Sequence, residues 1–389
     1  MKTIDVLIVG AGAAGMMCAI EAGRRGRSVR VIDHARNPGE KIRISGGGRC
    51  NFTNTGTGPA NFLGENPRFA TSALKRYTQH DFIKRVDRAG IAWHEKTLGQ
   101  LFCDDSAKQI VRMLTDDLRE AGAVLSMGVS VDRISRVDGG FEAALSDGSV
   151  VRASSLVLAT GGKSIPKMGA TGWAYETLTF EPGLLEKLAP LAGLSVEAMV
   201  SHRVPADGGA PGRPTGETRF AEGLLFTHRG LSGPSILQIS SYWREGEAIT
   251  ARLAPDTDVH ALLKAAKEEN GKQMVHTALG HIVPRRLAES ICEREGVKGK
   301  LAEVGDKVLR RLDEAVNGWT VKPVGSEGYR TAEVTLGGIA TDALDQQTME
   351  AKAVPGLFVI GEAADVTGWL GGYNFQWAWS SGWAAGQSC

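Results

Sequence analysis

The residues with the clearest chemical potential form a glycine pattern near the start of the chain. Gly10, Gly12 and Gly15 have the spacing G-x-G-x-x-G, directly after the apolar run 4–9 and at the start of an Ala-rich helical stretch. The first glycine allows a tight bend, the second lets backbone approach a pyrophosphate, and the third lets helix pack closely on strand. Asp33 ends the next apolar run and can accept a hydrogen bond from a ribose hydroxyl. The pattern predicts a dinucleotide site, and the alternative is a tight turn without a ligand.

A second segment, residues 41–54 with the sequence KIRISGGGRCNFTN, follows the strand that ends at Asp33. Its three consecutive glycines predict a loop, and exposed N–H groups of such a loop can form an anion-binding nest. Ser45, Arg49 and Asn51 could then bind the pyrophosphate or the ring of a dinucleotide cofactor. The alternative is a flexible surface loop.

Two later segments each place an apolar strand before a glycine turn. Residues 155–162 end in Ala-Thr-Gly-Gly, where the chain commonly crosses back over FAD in two-dinucleotide-fold flavoproteins, although any buried parallel strand could look the same. Residues 355–382 run from a strand into Gly361-Glu362, and then through Gly371-Gly372 into a helix of small residues. The N-terminus of that helix would face the anionic end of a flavin ring. Its tryptophans are expected to pack in the core rather than stack on flavin.

The elements that must position these segments follow an α/β pattern. A β-α-β unit opens the chain, a helix is expected over 107–121, and strands are expected over 124–158. Residues 190–255 are strand-like with Gly and Pro breakers, and residues 256–319 are helical in pattern. The predicted domains are an FAD-binding domain over 1–185 and 337–389, a β-rich inserted domain over 186–255 and 320–336, and a helical inserted domain over 256–319.

The bulk composition is that of an ordinary globular protein. Lys and Arg number 45 against 44 for Asp and Glu in 389 residues, a net charge of +1 that does not favour nucleic acid. The five scattered cysteines form no C-x-x-C pair, which indicates reduced thiols in the cytoplasm. The chain starts in a strand without room for a signal peptide, and no apolar run approaches the roughly 20 residues that span a bilayer. No membrane association and no metal site are expected.

At these segments the chain resembles the BaiN/RdsA family of flavoproteins, described as aminoacetone-oxidase-type or NAD(P)/FAD-dependent oxidoreductases. The most specific stretches are 45–54, 224–243, 317–339 and 365–382, and the resemblance covers nearly the whole chain. It implies a Rossmann-type FAD-binding α/β domain of the two-dinucleotide-fold class, with an inserted β-barrel-like domain and a small helical domain. Family members usually continue through a helix and a strand after Gly172, whereas a segment of about twenty residues is missing here near 176–180.

The segments and the resemblance together define the predicted site. The predicted cofactor-binding residues are Gly10, Gly12, Ala13, Ala14, Gly15, Asp33, His34, Lys41, Ser45, Gly46, Gly47, Arg49, Cys50, Asn51, Val129, Ala159, Thr160, Gly161, Gly361, Glu362, Gly372, Tyr373, Asn374 and Gln376. The catalytic residues stay open, and the candidates, each of which could instead be structural, are Arg49, Lys163, His228, Arg229, Arg330 and Tyr373.

FAD is the predicted cofactor. No second G-x-G-x-x-G follows another strand, so NAD(P)H is at most a diffusible electron donor. The predicted reaction is hydride transfer between flavin and an activated C=C or C=N bond of an unidentified substrate. A small-molecule substrate is favoured. The alternatives are uridine in ribosomal RNA and a non-catalytic flavin scaffold or sensor. The disulfide-reductase class is excluded because no redox-active cysteine pair exists.

Overall fold

The computed structural model describes residues 3–162, 178–204, 215–326, 334 and 336–389. Contacts divide these residues into two compact units. The first unit comprises the described residues up to 162 and from 334 onward, and the second comprises those from 178 to 326. Two catalytic candidates, Lys163 and Arg330, lie outside the described residues, as do residues 176 and 177 of the region 176–180 where a segment is expected to be missing.

Along the chain, the elements of the second unit interrupt those of the first. The chain begins with β1 (Ile4–Val9), α1 (Ala13–Arg24), β2 (Val29–Asp33), α2 (Glu40–Gly48), β3 (Asn51–Asn54), β4 (Phe62–Leu63), α3 (Thr71–Arg76), α4 (Gln79–Arg88), β5 (Trp93–Glu95), β6 (Gln100–Cys103), α5 (Ala107–Glu120), β7 (Val124–Met127), β8 (Val131–Val137), β9 (Gly140–Leu145) and β10 (Val150–Leu158). It continues with β11 (Leu178–Thr179), α6 (Pro182–Leu188), β12 (Ser195–Val204), β13 (Gly216–Thr227), β14 (Gly230–Ser232), α7 (Pro234–Ser240), β15 (Ile249–Arg252), α8 (Val259–Asn270), α9 (Val275–Leu279), α10 (Arg285–Arg294), α11 (Asp306–Asn317), β16 (Trp319–Val321) and β17 (Gly325–Ser326). It ends with β18 (Leu357–Val359), β19 (Thr367–Gly368) and α12 (Tyr373–Gly386).

The first unit is built on a seven-stranded sheet in the order β7-β2-β1-β10-β9-β8, with β18 paired to β10. The pairs of β1 with β2, of β2 with β7, of β1 with β10 and of β10 with β18 are parallel, whereas β8, β9 and β10 form an antiparallel meander. The central strands are apolar because both faces of a parallel sheet are covered by helices. The sheet has the mixed α/β character of the predicted Rossmann-type fold.

Helices α1 and α12 pack together through small residues, as the sequence predicts. A Cβ atom at Gly382 would lie 2.4 Å from the Ala14 carbonyl oxygen, and one at Gly386 would lie 2.8 Å from the Cys18 carbonyl oxygen. The numbers rise together in both helices, so α1 and α12 run parallel and their N-termini face the same end of the unit. The expected packing of tryptophans is confirmed for Trp379, which is fully buried and stacks on Phe82 at 4.2 Å between ring centroids.

The second unit contains an antiparallel sheet in the order β16-β15-β12-β13-β14-β11-β17. Strand β11 pairs with β14 and β17, so residues 178–179 belong to this sheet, whereas the sequence pattern assigned them to the FAD-binding domain. All described regular elements between β15 and β16 are helical. Asp258 precedes α8, and its carboxylate accepts a hydrogen bond from the Ala261 N–H at 2.8 Å. The further division into β-rich and helical domains, and closure into a barrel, stay predictions.

Membrane spans and metal clusters are both missing from the described part of the chain. None of the described helices combines the length and apolar character that crossing a lipid bilayer requires. The described His, Cys, Asp and Glu residues form no group of three that could hold a metal ion.

Candidate cofactor site

Close contacts within the protein explain two of the three glycines in the turn between β1 and α1. Gly10 has φ +115°, and a Cβ atom there would lie 2.3 Å from the Ala159 carbonyl oxygen. A Cβ atom at Gly15 would lie 1.9 Å from the Gly10 carbonyl oxygen. These distances are far inside van der Waals contact, so both positions require glycine whether or not a ligand binds.

Gly12 differs from its neighbours in this respect. Its φ is −81°, which any residue can adopt, and a Cβ atom there would meet no protein atom within 4 Å. The space beside Gly12 lies at the N-terminus of α1, where first-turn N–H groups have no intrahelical acceptor. Open space, unpaired amides and the positive end of the helix dipole suit an anionic phosphate group. The residues present therefore fit the pyrophosphate of a dinucleotide.

Asp33 is held rigidly at the end of β2. Its two carboxylate oxygens accept hydrogen bonds from the Ala11 amide at 2.7 Å and the Ala35 amide at 2.8 Å. A carboxylate offers about four lone-pair positions, so capacity remains for a ribose hydroxyl. The Val129 amide donates to the Asp33 carbonyl at 3.0 Å, and the exposed His34 ring lies 3.4 Å from the Asp33 carboxylate. These predicted residues cluster at the carboxyl end of β2.

An ion pair joins the second and fourth glycine segments. Lys41 Nζ lies 2.7 Å from Glu362 Oε2, and both side chains are partly buried. A Cβ atom at Gly161 would stand 3.9 Å from Lys41 Nζ, which brings the third segment to the same place. The fold therefore assembles Lys41, Gly161 and Glu362, which are far apart in sequence, beside the glycine turn.

Lys41→Met is expected to weaken FAD binding by roughly tenfold. The change removes the cation that lies 2.7 Å from the Glu362 carboxylate, beside an anionic ligand. The double variant Lys41→Met/Glu362→Gln should recover part of the affinity. The measurement is FAD dissociation by fluorescence, with Lys108→Met on α5 as the control. Equal affinity in Lys41→Met and Lys108→Met would place the ion pair outside the site.

Residues 41–54 differ in part from the predicted loop. Helix α2 includes the first part of the segment, but its backbone leaves right-handed helical geometry from Ser45 through the three glycines, and strand β3 follows. Gly46, Gly47 and Gly48 all have positive φ, as does Cys50 at +53°. Arg49 is exposed, whereas Cys50 is fully buried and burial raises the pKa of its thiol. The prediction that Cys50 contacts the cofactor is therefore corrected for its side chain, which packs in the core.

The glycines before α12 are constrained by strand β3. Gly372 has φ +96°, and a Cβ atom there would lie 2.4 Å from the Thr53 carbonyl oxygen. The buried Asn54 amide donates to the Gly371 carbonyl at 2.9 Å. Close approach to protein backbone thus explains these glycines, where the sequence suggested an approach to the flavin ring.

Two predicted ligand-binding side chains have structural partners instead. Asn374 Nδ2 donates to the carbonyls of Gly368 at 2.9 Å and Trp369 at 3.3 Å, while its Oδ1 accepts from the Gly368 amide at 2.8 Å. Gln376 is fully buried and bonds to Thr53 Oγ1 at 2.7 Å and to the Tyr77 carbonyl at 3.1 Å. Both side-chain amides thus hold the turn and the helix in place, and contact of either residue with flavin stays a prediction.

The residues that contact the turn before α12 are not among those predicted from the sequence. Thr53 and Asn54 are fully buried polar residues at the end of β3, and both bond to the C-terminal segment. Gln100 Oε1 on β6 accepts from Asn51 Nδ2 at 3.0 Å, and the Gln100 side chain lies against Gly371. The available signal was the polar pair Thr53-Asn54 directly after Phe52, because polar groups that become buried need partners.

The remaining candidates fall in two places. Tyr373 begins α12 and packs edge-on against Phe62 and Trp369, with little of its surface exposed. His228 and Arg229 form the exposed turn between β13 and β14 in the second unit. All the predicted cofactor-binding residues therefore lie in the first unit.

The chain is similar in sequence to known proteins. A family model described as HI0933-like protein Rossmann domain matches residues 4–388. The ribosomal RNA dihydrouridine synthase of Escherichia coli (strain K12) is 46% identical over 409 residues, covering 100% of this chain and 98% of that protein. The 3-dehydro-bile acid delta(4,6)-reductase of Clostridium scindens is 28% identical, covering 98% of each. A solved open conformation of a flavocytochrome c3 fumarate reductase aligns with a TM-score of 0.46 at 17% identity, covering 99% of this chain and 78% of that one.

Proposed function

Because this chain belongs to the HI0933-like family of Rossmann flavoproteins and is an FAD-dependent oxidoreductase, we propose that it reduces uridine in ribosomal RNA to dihydrouridine. The observation that carries this proposal is the 46% identity, over the whole chain, to a protein of that activity. Uridine in ribosomal RNA is also one of the substrates that the sequence left open. The even overall charge neither supports nor opposes it, since RNA contacts depend on local charge.

The proposed reaction adds one hydride and one proton to the C5=C6 bond of uracil. This bond is conjugated to the C4 carbonyl, so hydride arriving at C6 pushes the electron pair onto C5 and O4. A proton then joins C5 and the carbonyl is restored. Bound FAD, once reduced by NADH or NADPH, supplies the hydride. The nicotinamide nucleotide is the net reductant, and it leaves oxidised.

The described residues supply binding and orientation in this proposal. Gly12 and the first-turn amides of α1 bind the pyrophosphate, and Asp33 fixes a ribose. Lys41, held in place by its ion pair with Glu362, balances the negative charge of the bound cofactor near Gly161. The N-terminus of α12 lies at the same end of the unit, and a helix terminus stabilises nearby negative charge by roughly 0.3–1 kcal/mol, or about 2 when partly buried.

The proton donor in this proposal is not a thiol. All five cysteines are buried, and burial raises the pKa of Cys103 to about 11 and that of Cys50 further still. A thiol without exposed surface cannot contact a base that binds at the surface of the protein. Among the described candidates of the first unit, Tyr373 carries a hydroxyl at the start of α12 and Arg49 carries an exposed guanidinium, so these two are the residues to test.

The test is anaerobic turnover. The protein is reduced with NADH or NADPH, and ribosomal RNA transcribed without modification is then added. We expect flavin reoxidation and a dihydrouridine nucleoside two hydrogens heavier than uridine by mass spectrometry. Gly12→Val serves as the cofactor-free control. Reduction of the flavin without any dihydrouridine would contradict the RNA proposal.

A second candidate function is reduction of a small carbonyl-conjugated alkene. The whole-length similarity to a bile acid reductase favours it over a C=N substrate. The same reduced protein is mixed with a steroid that carries a ketone conjugated to a C=C bond. Rapid reoxidation by this compound, together with none by RNA, would decide for the small molecule.

A further inference from the structure

A charged cavity opens on the first unit away from the glycine turn. Its volume is about 460 Å³, and it lies near the C-terminal ends of α1 and α12, against α3, α4 and α5. Arg24 and Trp383 belong to its lining. Arg24 lies eleven residues beyond Ala13, and Trp383 lies ten beyond Tyr373. At 1.5 Å per residue, the cavity is about 15 Å from the helix N-termini of the cofactor site. We call this cavity the basic cleft.

One wall of the basic cleft is a layer of flat side chains. Trp383 stacks with Tyr77 at 6.0 Å between ring centroids and an interplanar angle of 26°. The guanidinium carbon of Arg76 lies 4.9 Å from the Trp383 ring centroid, and Arg76 also donates to the Gln347 carbonyl at 2.7 Å. The Arg76 side chain is therefore held in place while it stays exposed. Aromatic rings and guanidinium planes are the surfaces on which unstacked RNA bases stack.

The carboxylates that line the basic cleft form ion pairs and hydrogen bonds with neighbouring protein groups. Arg85 lies 2.9 Å from Glu21 and 3.4 Å from Asp117, and Arg24 contacts the same two carboxylates at 3.3 and 3.6 Å. Asp81 accepts hydrogen bonds from the amide and hydroxyl of Thr78 at the start of α4, and the exposed Lys84 Nζ lies 3.8 Å from its carboxylate. The carboxylates are thus committed to protein partners, so they repel a phosphate less than free carboxylates would.

The cations of the basic cleft outnumber these carboxylates. The lining holds Arg24, Arg76, Lys84, Arg85 and Arg88 against three acidic side chains, an excess of two positive charges. Arg88 is exposed and forms no ion pair with any residue in the described part of the chain. An exposed cation beside a stacking surface is the arrangement that binds a nucleotide through both its phosphate and its base.

We propose that the basic cleft binds the RNA substrate at a nucleotide outside the reacting uridine. Arg88 and Lys84 contact backbone phosphate, and the layer of Arg76 and Trp383 receives an unpaired base. This inference rests on the proposed RNA function. It explains how a chain with a net charge of +1 can bind RNA, since the positive charges that contact the RNA are concentrated in the basic cleft. A second contact about 15 Å from the cofactor site also fixes the direction in which the RNA strand lies.

The test measures RNA binding rather than activity. Fluorescence anisotropy follows a labelled single-stranded RNA of about 16 nucleotides at several salt concentrations. Arg88→Glu and the double variant Arg76→Ala/Arg88→Ala should each weaken binding about tenfold and reduce the salt slope by about one per lost phosphate contact. The matched control is Arg136→Glu, an exposed arginine on β8. FAD content is measured in every variant to show that the fold is kept.

The outcomes separate this inference from the function on which it rests. If Arg88→Glu and Arg136→Glu weaken RNA binding equally, the effect is general charge and the basic cleft is not a site. If both bind like the wild type while dihydrouridine still forms, the function stands and the cleft proposal fails. If the wild-type protein neither binds RNA nor forms dihydrouridine, the proposed function itself fails. If Arg76→Ala/Arg88→Ala loses FAD, the single variant Arg88→Glu decides, because Arg88 holds no other element.

Discussion

Gly12→Val is expected to give a folded protein that retains no FAD. The space beside Gly12 contains no protein atom within 4 Å, so the valine fits the unliganded chain without a clash. The same side chain occupies the volume in which the pyrophosphate would contact the amides of α1. The measurement is flavin absorbance of the purified protein after reconstitution with excess FAD, alongside thermal unfolding.

Gly305 provides a closely matched control for this experiment. It also precedes a helix of 12 residues, its φ of −82° and ψ of 166° resemble the −81° and −170° of Gly12, and a Cβ atom there meets nothing within 4 Å. Gly305→Val therefore makes the same chemical change at the same kind of helix start in the second unit. It should keep the full flavin content. Equal flavin content in the two variants would reduce the glycine pattern to a structural turn.

Gly372→Ala is expected to lose most of the bound FAD and to lower the melting temperature. Its φ of +96° costs an alanine about 1–2 kcal/mol, and the new Cβ atom would lie 2.4 Å from the Thr53 carbonyl oxygen. The start of α12 must then move away from β3, and the helix N-terminus moves with it. Flavin content and thermal unfolding are the two measurements.

Gly122→Ala is the control that separates the cost of the positive φ from the cost of the steric clash in Gly372→Ala. Gly122 has φ +73° and has open space where a Cβ atom would stand, so this variant bears only the backbone cost. It should keep its flavin while losing a little stability. If Gly372→Ala matches Gly122→Ala in both measurements, the turn can relax and the C-terminal segment does not shape the cofactor site.

The parts of the site that the sequence predicts well are those set by local pattern. The β1–α1 turn, Asp33 and the small-residue contact between the first and last helices follow from spacing and side-chain size alone. Spacing also led to Gly12 as the residue that faces a ligand, and its open surroundings agree with that prediction. Gly10 and Gly15 are instead fixed by contacts within a few residues or across one strand.

The parts that could not be predicted depend on partners distant in the chain. From the sequence, Asn374 and Gln376 are predicted to bind the cofactor. In the structure, the Asn374 side chain donates to Gly368, and the Gln376 side chain bonds to Thr53 and Tyr77. Gly372 is predicted to let backbone approach the flavin ring, but the Thr53 carbonyl oxygen lies 2.4 Å from where its Cβ atom would stand. The alignment with the Escherichia coli relative spans 409 residues against 389 here, a difference of 20, which agrees in size with the segment expected to be missing.

The parallel contact of α1 with α12 has a consequence for the order of events during synthesis. Gly382 meets Ala14, and 368 residues separate them. At about 5–20 residues per second, roughly 20 to 70 s pass between the emergence of the two surfaces from the ribosome. During that time the small-residue face of α1 has no native cover, although the β-α-β unit around it is already complete. Contacts of such long sequence separation form slowly. We therefore expect that the nascent chain cannot hold its flavin firmly, and that cofactor capture is one of the last steps of folding.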